Sequence, residues 1–208
     1  SDIDMSYAAE KFDAVMVLWY PGSQGGKAAA KILFGEKSPS GKLPVTFYES
    51  LEELPEFTDY SMKGRTYRYM EGKAQFPFGY GLTYSNVKVE NAEVRQCGQQ
   101  ITVEAEVYNE GKADTEEVVQ VYVKNLDSKN AIPNPALGGF QRIFVKAGER
   151  RKVTVPVWEK AFTVVDENGK RVEDGRKYEI FAGCSQPDKR SIELTGTAPV
   201  KIIWEKED

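Results

Sequence analysis

The sequence predicts a mainly β chain: a two-sheet β-sandwich preceded by an incomplete α/β unit. Three observations carry that prediction. From residue 86 onward, apolar residues recur with period two in short runs, with turn signals about every 8–12 residues. Ahead of residue 48, one continuous apolar run is followed by a glycine-bearing turn and an alanine-rich stretch, the order of strand, turn and helix. Between these parts, residues 48–84 follow neither period and are dense in Tyr, Phe, Pro and Gly.

The first part covers residues 1–47. Asp13–Tyr20 is a continuous apolar run of strand length, as expected for a strand covered on both faces. It ends at Pro21-Gly22, a turn signal. Lys27–Phe34 is alanine-rich, with apolar residues at 29, 32 and 33, which predicts a helix. Gly35 then stands where a left-handed cap residue is wanted. Ser38–Pro44 reads as a loop, and Leu43–Phe47 as a short strand. One strand and one helix cannot bury both faces of a parallel sheet. The unit therefore reads as the terminal strand–helix–strand of a larger α/β sandwich domain. Val15, Val17, Leu18 and Ile32 are expected to expose a large apolar surface unless something covers it.

Residues 48–84 read as an ordered connector pinned by aromatic side chains, since a flexible linker would be rich in Ser and Gly and poor in aromatics. Residues 85–208 supply the strand series. Val87–Val94, Ile101–Val107, Val119–Val123, Phe140–Val145, Lys152–Val157, Ala161–Val165, Lys177–Ala182 and Ser191–Leu194 are the expected strands. Their turns include Asn109–Lys112, Ala147–Glu149, Glu167–Gly169 and Glu173–Gly175, and Leu126–Gly138 reads as a longer loop. The count and spacing predict a sandwich of immunoglobulin or fibronectin type III kind.

Composition removes whole classes of chemistry. The 208 residues contain no histidine, which excludes Ser/His/Asp and Cys/His nucleophile systems and His-ligated metals. Two cysteines cannot make a four-thiolate site, and no cofactor or metal is expected. Reduced thiols are the preferred reading of Cys97 and Cys184, because sparse cysteine fits a reducing compartment, and a bridge stays open should both lie at adjacent strand ends of the sandwich. The net charge is −4, with 9 basic and 11 acidic groups in residues 1–84 and no basic stripe, so a nucleic-acid partner is not expected. No window approaches the roughly 20 apolar residues of a membrane span. Ser1–Glu10 lacks the basic and apolar regions of a signal peptide, which favours a cytoplasmic over a secreted location.

Three constellations invite a chemical role. Gly22–Gly26, between strand and helix, suggests a phosphate cradle, but Gly26-Lys27 is followed by alanine and the spacing fits no phosphate-binding pattern. Tight-turn packing is the preferred reading. Glu52, Glu53 and Glu56 could supply paired carboxylates, yet Leu51–Pro55 reads as a solvated turn with its leucines buried. Arg65, Tyr67, Arg68 and Tyr69 mix guanidinium and aromatic groups, which suits substrate contacts or interdomain contacts, with domain packing preferred.

Taken together, the motifs resemble a known family. Trp19–Gly26, Ile32–Gly35 and Ser38–Phe47 look like the C-terminal α/β domain of glycoside hydrolase family 3. Gly64–Tyr69 and Phe76–Tyr84 resemble the stretch by which that family leaves this domain. Gly139–Arg142, Ala147–Glu149, Val164–Gly169 and Tyr178–Gly183 resemble its fibronectin type III-like domain. The match runs from about residue 8 to the end, with the motifs in family order.

The resemblance implies a retaining β-glucosidase or β-xylosidase acting on plant-type β-linked oligosaccharides. It also implies that the nucleophilic aspartate belongs to an N-terminal barrel and the acid/base glutamate to an earlier part of the α/β domain. Neither carries over to a position in this sequence, so no catalytic residue is assigned. The chain is expected to be an inactive scaffold by itself. Its expected partners are the missing barrel and α/β domains or a second copy of this chain. Two other roles stay open. One is a carbohydrate-binding module using Trp158, Trp204 or Tyr122 as stacking platforms. The other is one chain of a split glycosidase.

Overall fold

The computed structural model describes residues 5–206. A short helix α1 (Ser6–Lys11) is followed by the apolar run, and there the structure departs from the sequence reading: none of residues 13–20 enters a strand. A strand exists through the ladder it shares with a neighbour, and the described residues offer this run no ladder partner. Val15 to Trp19 are each 39–43% exposed, without alternation between faces. Helix α2 (Gly25–Leu33) does form and buries no residue. Its end is capped as expected: the N–H groups of Phe34 and Gly35 donate to Ala30 and Ile32, and Gly35 takes φ +75°.

The connector is ordered by pairing rather than by length of strand. β1 (Phe47–Tyr48) pairs antiparallel with β2 (Ala74–Phe76), so the expected strand over Leu43–Phe47 shrinks to two residues. Leu43 instead trades backbone bonds with the far end of the connector, donating to Tyr80 and accepting from Gly79, both at 2.8 Å. Between β1 and β2 lie a 3₁₀ turn (Leu51–Glu53) and a one-turn helix α3 (Thr66–Tyr69). The leucines of the 3₁₀ turn are not buried as anticipated: Leu51 is 66% exposed and Leu54 46%.

The sandwich follows the period-two reading through most of its length. The strands are β3 (Val87–Cys97), β4 (Gln100–Asn109), β5 (Thr115–Asn125), β6 (Ala136–Val145) and β7 (Arg150–Val157). A two-residue hairpin, β8 (Val164–Val165) with β9 (Arg171–Val172), and β10 (Lys177–Gly183) come next. Helix α4 (Lys189–Thr195) and β11 (Val200–Glu205) close the chain. Antiparallel sheets ordered β11-β10-β5-β6 and β3-β4-β7 face each other over a valine-rich core.

Four boundaries differ from the sequence reading. Ser191–Leu194 lies in helix α4, because the Asp188 carboxylate accepts the N–H and hydroxyl of Ser191 at the start and Gly196 turns left-handed at the end. The last strand is β11, whose half-buried Val200, Ile202 and Trp204 alternate with exposed residues. Ala161 and Phe162 belong to a 3₁₀ turn rather than a strand. The long loop ends earlier, at Ala136, because β6 continues through a bulge beside Tyr122.

β5 is buried on both faces. Val119, Val121 and Val123 point into the core, whereas the intervening Gln120 and Tyr122 are covered by the connector. Tyr67 and Phe78 stack at 4.2 Å between centroids, and both meet the Tyr122 ring edge-on, at 6.3 and 6.5 Å. The Tyr122 hydroxyl donates to Gln120 Oε1 (2.7 Å), and Gln120 Nε2 donates to the carbonyls of Gly79 and Cys184. A Cβ on Gly79 would lie 2.4 Å from both Gln120 Oε1 and the Tyr122 hydroxyl, so only glycine permits this approach.

Charge closes the second contact. Lys42 Nζ lies 2.8 Å from Glu117 Oε1, with 10% and 5% of the two side chains exposed, and also donates to the carbonyl of Gly81. The Val118 N–H donates to the same carboxylate. Nearby, Ser38 accepts from Thr115 and Ser40 accepts from Arg142, tying the same loop to β5 and β6.

Two predictions follow from this burial. Burial pushes the Glu117 carboxyl up, and Lys42 opposes that shift. Lys42→Met leaves a buried carboxylate without its cation, which should cost about 3–5 kcal/mol near neutral pH. A raised folded-state value means that the fold retains the proton longer than the unfolded chain. Stability of the variant should therefore be nearest wild type at acidic pH and fall as pH rises through the raised value. Urea titrations across that range test this, and a loss independent of pH would refute it.

Burial also holds the Tyr122 phenol well above its ordinary range and pushes Tyr178 up to about 12. Tyr178 donates to the carbonyls of Phe162 and Gly175, bonds that the phenolate cannot make. Both phenols should therefore ionise only above the ordinary tyrosine range. Stability present below the unfolded value near 10 should be lost as pH rises towards 12. Phenolate absorbance reads this directly, and reversible ionisation of all tyrosines near pH 10 would contradict it.

Candidate functional site

The four residues singled out in the sequence divide into two kinds. Arg65 braces its own loop: Nε donates to the Ser61 carbonyl, and Nη2 to those of Glu56 and Asp59. Asp59 is held below the usual carboxylate range by hydrogen bonds from the backbone and hydroxyl of Ser61, with the Arg65 charge adding to them. Tyr67 is an interdomain contact. Besides stacking on Phe78, its hydroxyl accepts the Leu137 N–H at 3.1 Å, and its carbonyl accepts from Asn134. The guanidinium of Arg68, by contrast, is exposed and has no hydrogen-bond or ion-pair partner among the described residues. Tyr69 is half-buried beside it.

Arg68 and Tyr69 line a groove of about 610 Å³ between the loop after α2 and the α3 turn. Thr46 stands in its wall, 6% exposed, with a buried hydroxyl that has no hydrogen-bond partner among the described residues. Two residues on, Tyr48 orders the α3 turn by accepting the Thr66 N–H at 3.0 Å. Thr66 takes φ +56°, a left-handed conformation that costs a β-branched residue about 1–2 kcal/mol. The groove thus combines aromatic walls, one unpaired cation and one unsatisfied hydroxyl.

The remaining candidates lose their chemical reading. Gly22–Gly26 is a closed turn in which Gly25 N–H donates to Gly22 and a Cβ on Gly25 would strike Pro21. Glu52, Glu53 and Glu56 are exposed on the surface around the 3₁₀ turn. Tyr122, one proposed sugar platform, is fully buried. Trp204 packs on Phe162 and Tyr178, with centroids 5.5 and 6.0 Å away. Trp158 keeps 40% exposure but meets Phe140 edge-on with the Lys160 ammonium over its ring. Both cysteines are free, and burial raises the Cys184 thiol far above the range in which it would ionise.

Thr46, Lys42 and Glu117 receive no functional reading from the sequence, although Lys42 and Thr46 lie within the Ser38–Phe47 family motif. Glu117 alone leaves a signal, since it stands in register with Val119 and Val121, an acidic residue on the row of buried valines. Nothing in the sequence marks Lys42 or Thr46 for a role of its own, and only the packing singles them out.

Residues 1–84 match the glycosyl hydrolase family 3 C-terminal domain, and residues 117–186 a fibronectin type III-like domain. The chain is 41% identical over 201 residues to a xylan 1,4-β-xylosidase of Xylanibacter ruminicola, covering 95% of this chain and 23% of that protein. It is 31% identical to a periplasmic β-glucosidase of Salmonella typhimurium, over 84% of this chain and 25% of the relative. The crystal structure of a selenomethionine-labelled β-glucosidase from Kluyveromyces marxianus superposes with a TM-score of 0.75 at 28% identity, covering 90% of this chain and 24% of that one. The chain spans about a quarter of the length of the curated relatives it matches. Both domain matches, in family order and joined by the clamped connector, place the chain in glycoside hydrolase family 3, of which it carries the closing part of the C-terminal domain and the fibronectin type III-like domain.

Proposed function

We propose that this chain is the bracing portion of a retaining β-glycosidase of β-glucosidase or β-xylosidase type that acts on β-linked oligosaccharides. In this reading the barrel and the rest of the α/β layer supply both catalytic carboxylates, and the present chain holds their last unit against the sandwich. The single observation that supports it is the run Val15–Trp19, with no strand partner among the described residues and exposure on both faces. Such a run suits insertion between strands of another sheet, where each fully buried Val or Leu contributes about 1.5–3 kcal/mol. Leu33 and Phe34, at the end of α2, are also exposed and add apolar surface to be covered. Lys42–Glu117 and the Tyr67/Phe78/Tyr122 cluster then transmit rigidity from the sandwich to that unit.

A chimera tests the reading. Replacing the matched quarter of the Xylanibacter ruminicola xylosidase with this chain should preserve hydrolysis of an aryl β-xyloside or β-glucoside. Leu18→Asp in the chimera should abolish it by charging the buried run. The present chain alone should bind a hydrophobic dye and hydrolyse neither substrate. Hydrolysis by the chain alone, or a folded but inactive chimera, would overturn the proposal.

A further inference from the structure

We propose that the groove beside Thr46 binds a pyranose ring of a β-linked oligosaccharide, an inference that rests on the glycosidase reading above and gives this chain a substrate contact of its own. Four features of the groove support it. Its volume, about 610 Å³, accommodates a disaccharide. Tyr48 and Tyr69 give it aromatic walls, the surfaces on which the C–H faces of a sugar ring pack. The buried hydroxyl of Thr46 has neither donor nor acceptor partner among the described residues, and a buried polar atom left so is costly unless a ligand satisfies it. Arg68 presents unpaired N–H donors at the same groove, and no carboxylate lines it to neutralise them.

The backbone is built to keep those groups in place. Thr66 is held at φ +56° by the Tyr48 hydroxyl, and Tyr67, the next residue, is locked by its stack on Phe78 and its bond from Leu137. Arg68 and Tyr69 follow directly on the same turn, so the sandwich fixes where they point. Strain retained at a groove-lining residue, together with an unsatisfied hydroxyl in its wall, marks pre-organisation for a ligand. A neutral sugar satisfies the whole set, since it offers hydroxyls to Thr46 and Arg68 and apolar ring faces to the tyrosines. A simple anion could accept from Arg68 and Thr46 but would leave the aromatic walls unused.

Titration of the full chain with xylobiose and with cellobiose, followed by amide NMR, tests the proposal. Saturable shifts are expected at residues 44–48 and 66–69. Thr46→Val and Arg68→Met should each weaken binding about fivefold or more, the loss of one hydrogen bond to a ligand. Thr46→Val should leave the Tm unchanged or raise it, because it removes an unsatisfied buried hydroxyl, which separates loss of binding from loss of fold. No saturable shift with either sugar, binding unaffected by both variants, or a response to inorganic phosphate without one to sugar would each overturn the groove. An active chimera with a silent groove leaves the glycosidase reading standing and removes this one. Groove binding with an inactive chimera does the reverse.

Discussion

Lys42 reaches from the loop after α2 to a carboxylate on β5 that is almost wholly withdrawn from water, and the two meet at 2.8 Å. Ionised Glu117 is tolerable there only because the Lys42 charge and the Val118 N–H replace the solvent it lost. The consequence runs in both directions. β5 needs a cation at that spot, and the loop 38–47, whose buried apolar anchor is Phe47 against Phe76, needs a tie to the sandwich. The ion pair, with the Ser38–Thr115 and Ser40–Arg142 hydrogen bonds beside it, sets where α2 and the apolar run before it stand relative to the sandwich.

The aromatic cluster complements the charge. Tyr122 sits on the outer face of β5, a face that in a free-standing sandwich would meet water. Here it is sealed by the Tyr67–Phe78 stack and the backbone of Gly79. Sealing that face is what lets a one-turn helix with a strained first residue persist: Tyr67 is held by two rings and by the Leu137 and Asn134 amides, so Thr66 before it has little freedom to relax. The same restraint aims Arg68 and Tyr69 at the groove. Rigidity in the connector and the shape of the candidate ligand site are one physical fact.

Legibility in the sequence follows the range of the interactions. The strand series through β7 and β10, the α2 helix and its glycine cap are local in origin, set by alternation, alanine content and a left-handed turn. Ser191–Leu194 shows the limit: four residues with two apolar positions fit either period, and the Asp188 cap with Gly196 decides for helix. The Asp13–Tyr20 run fails for another reason. Its composition states that it is to be buried on both sides but cannot state by what, and the described chain holds no sheet to receive it. At the candidate site, the cluster 65–69 stands out by composition, yet composition cannot divide it into Arg65 and Tyr67, which brace, and Arg68 and Tyr69, which face a groove.

The sequence by itself determined the fold class, the family motifs and their order, because these rest on periodicity and turn chemistry within a few residues of each position. Only the tertiary structure decided that Lys42 pairs with Glu117 and that Tyr122 is a buried keystone rather than a sugar platform. It also decided that Thr46 carries an unsatisfied hydroxyl in a groove. Those outcomes depend on which surfaces lose water when segments tens of residues apart come together. The dielectric and the hydrogen-bond partners that result are properties of the packed chain, and no local pattern encodes them.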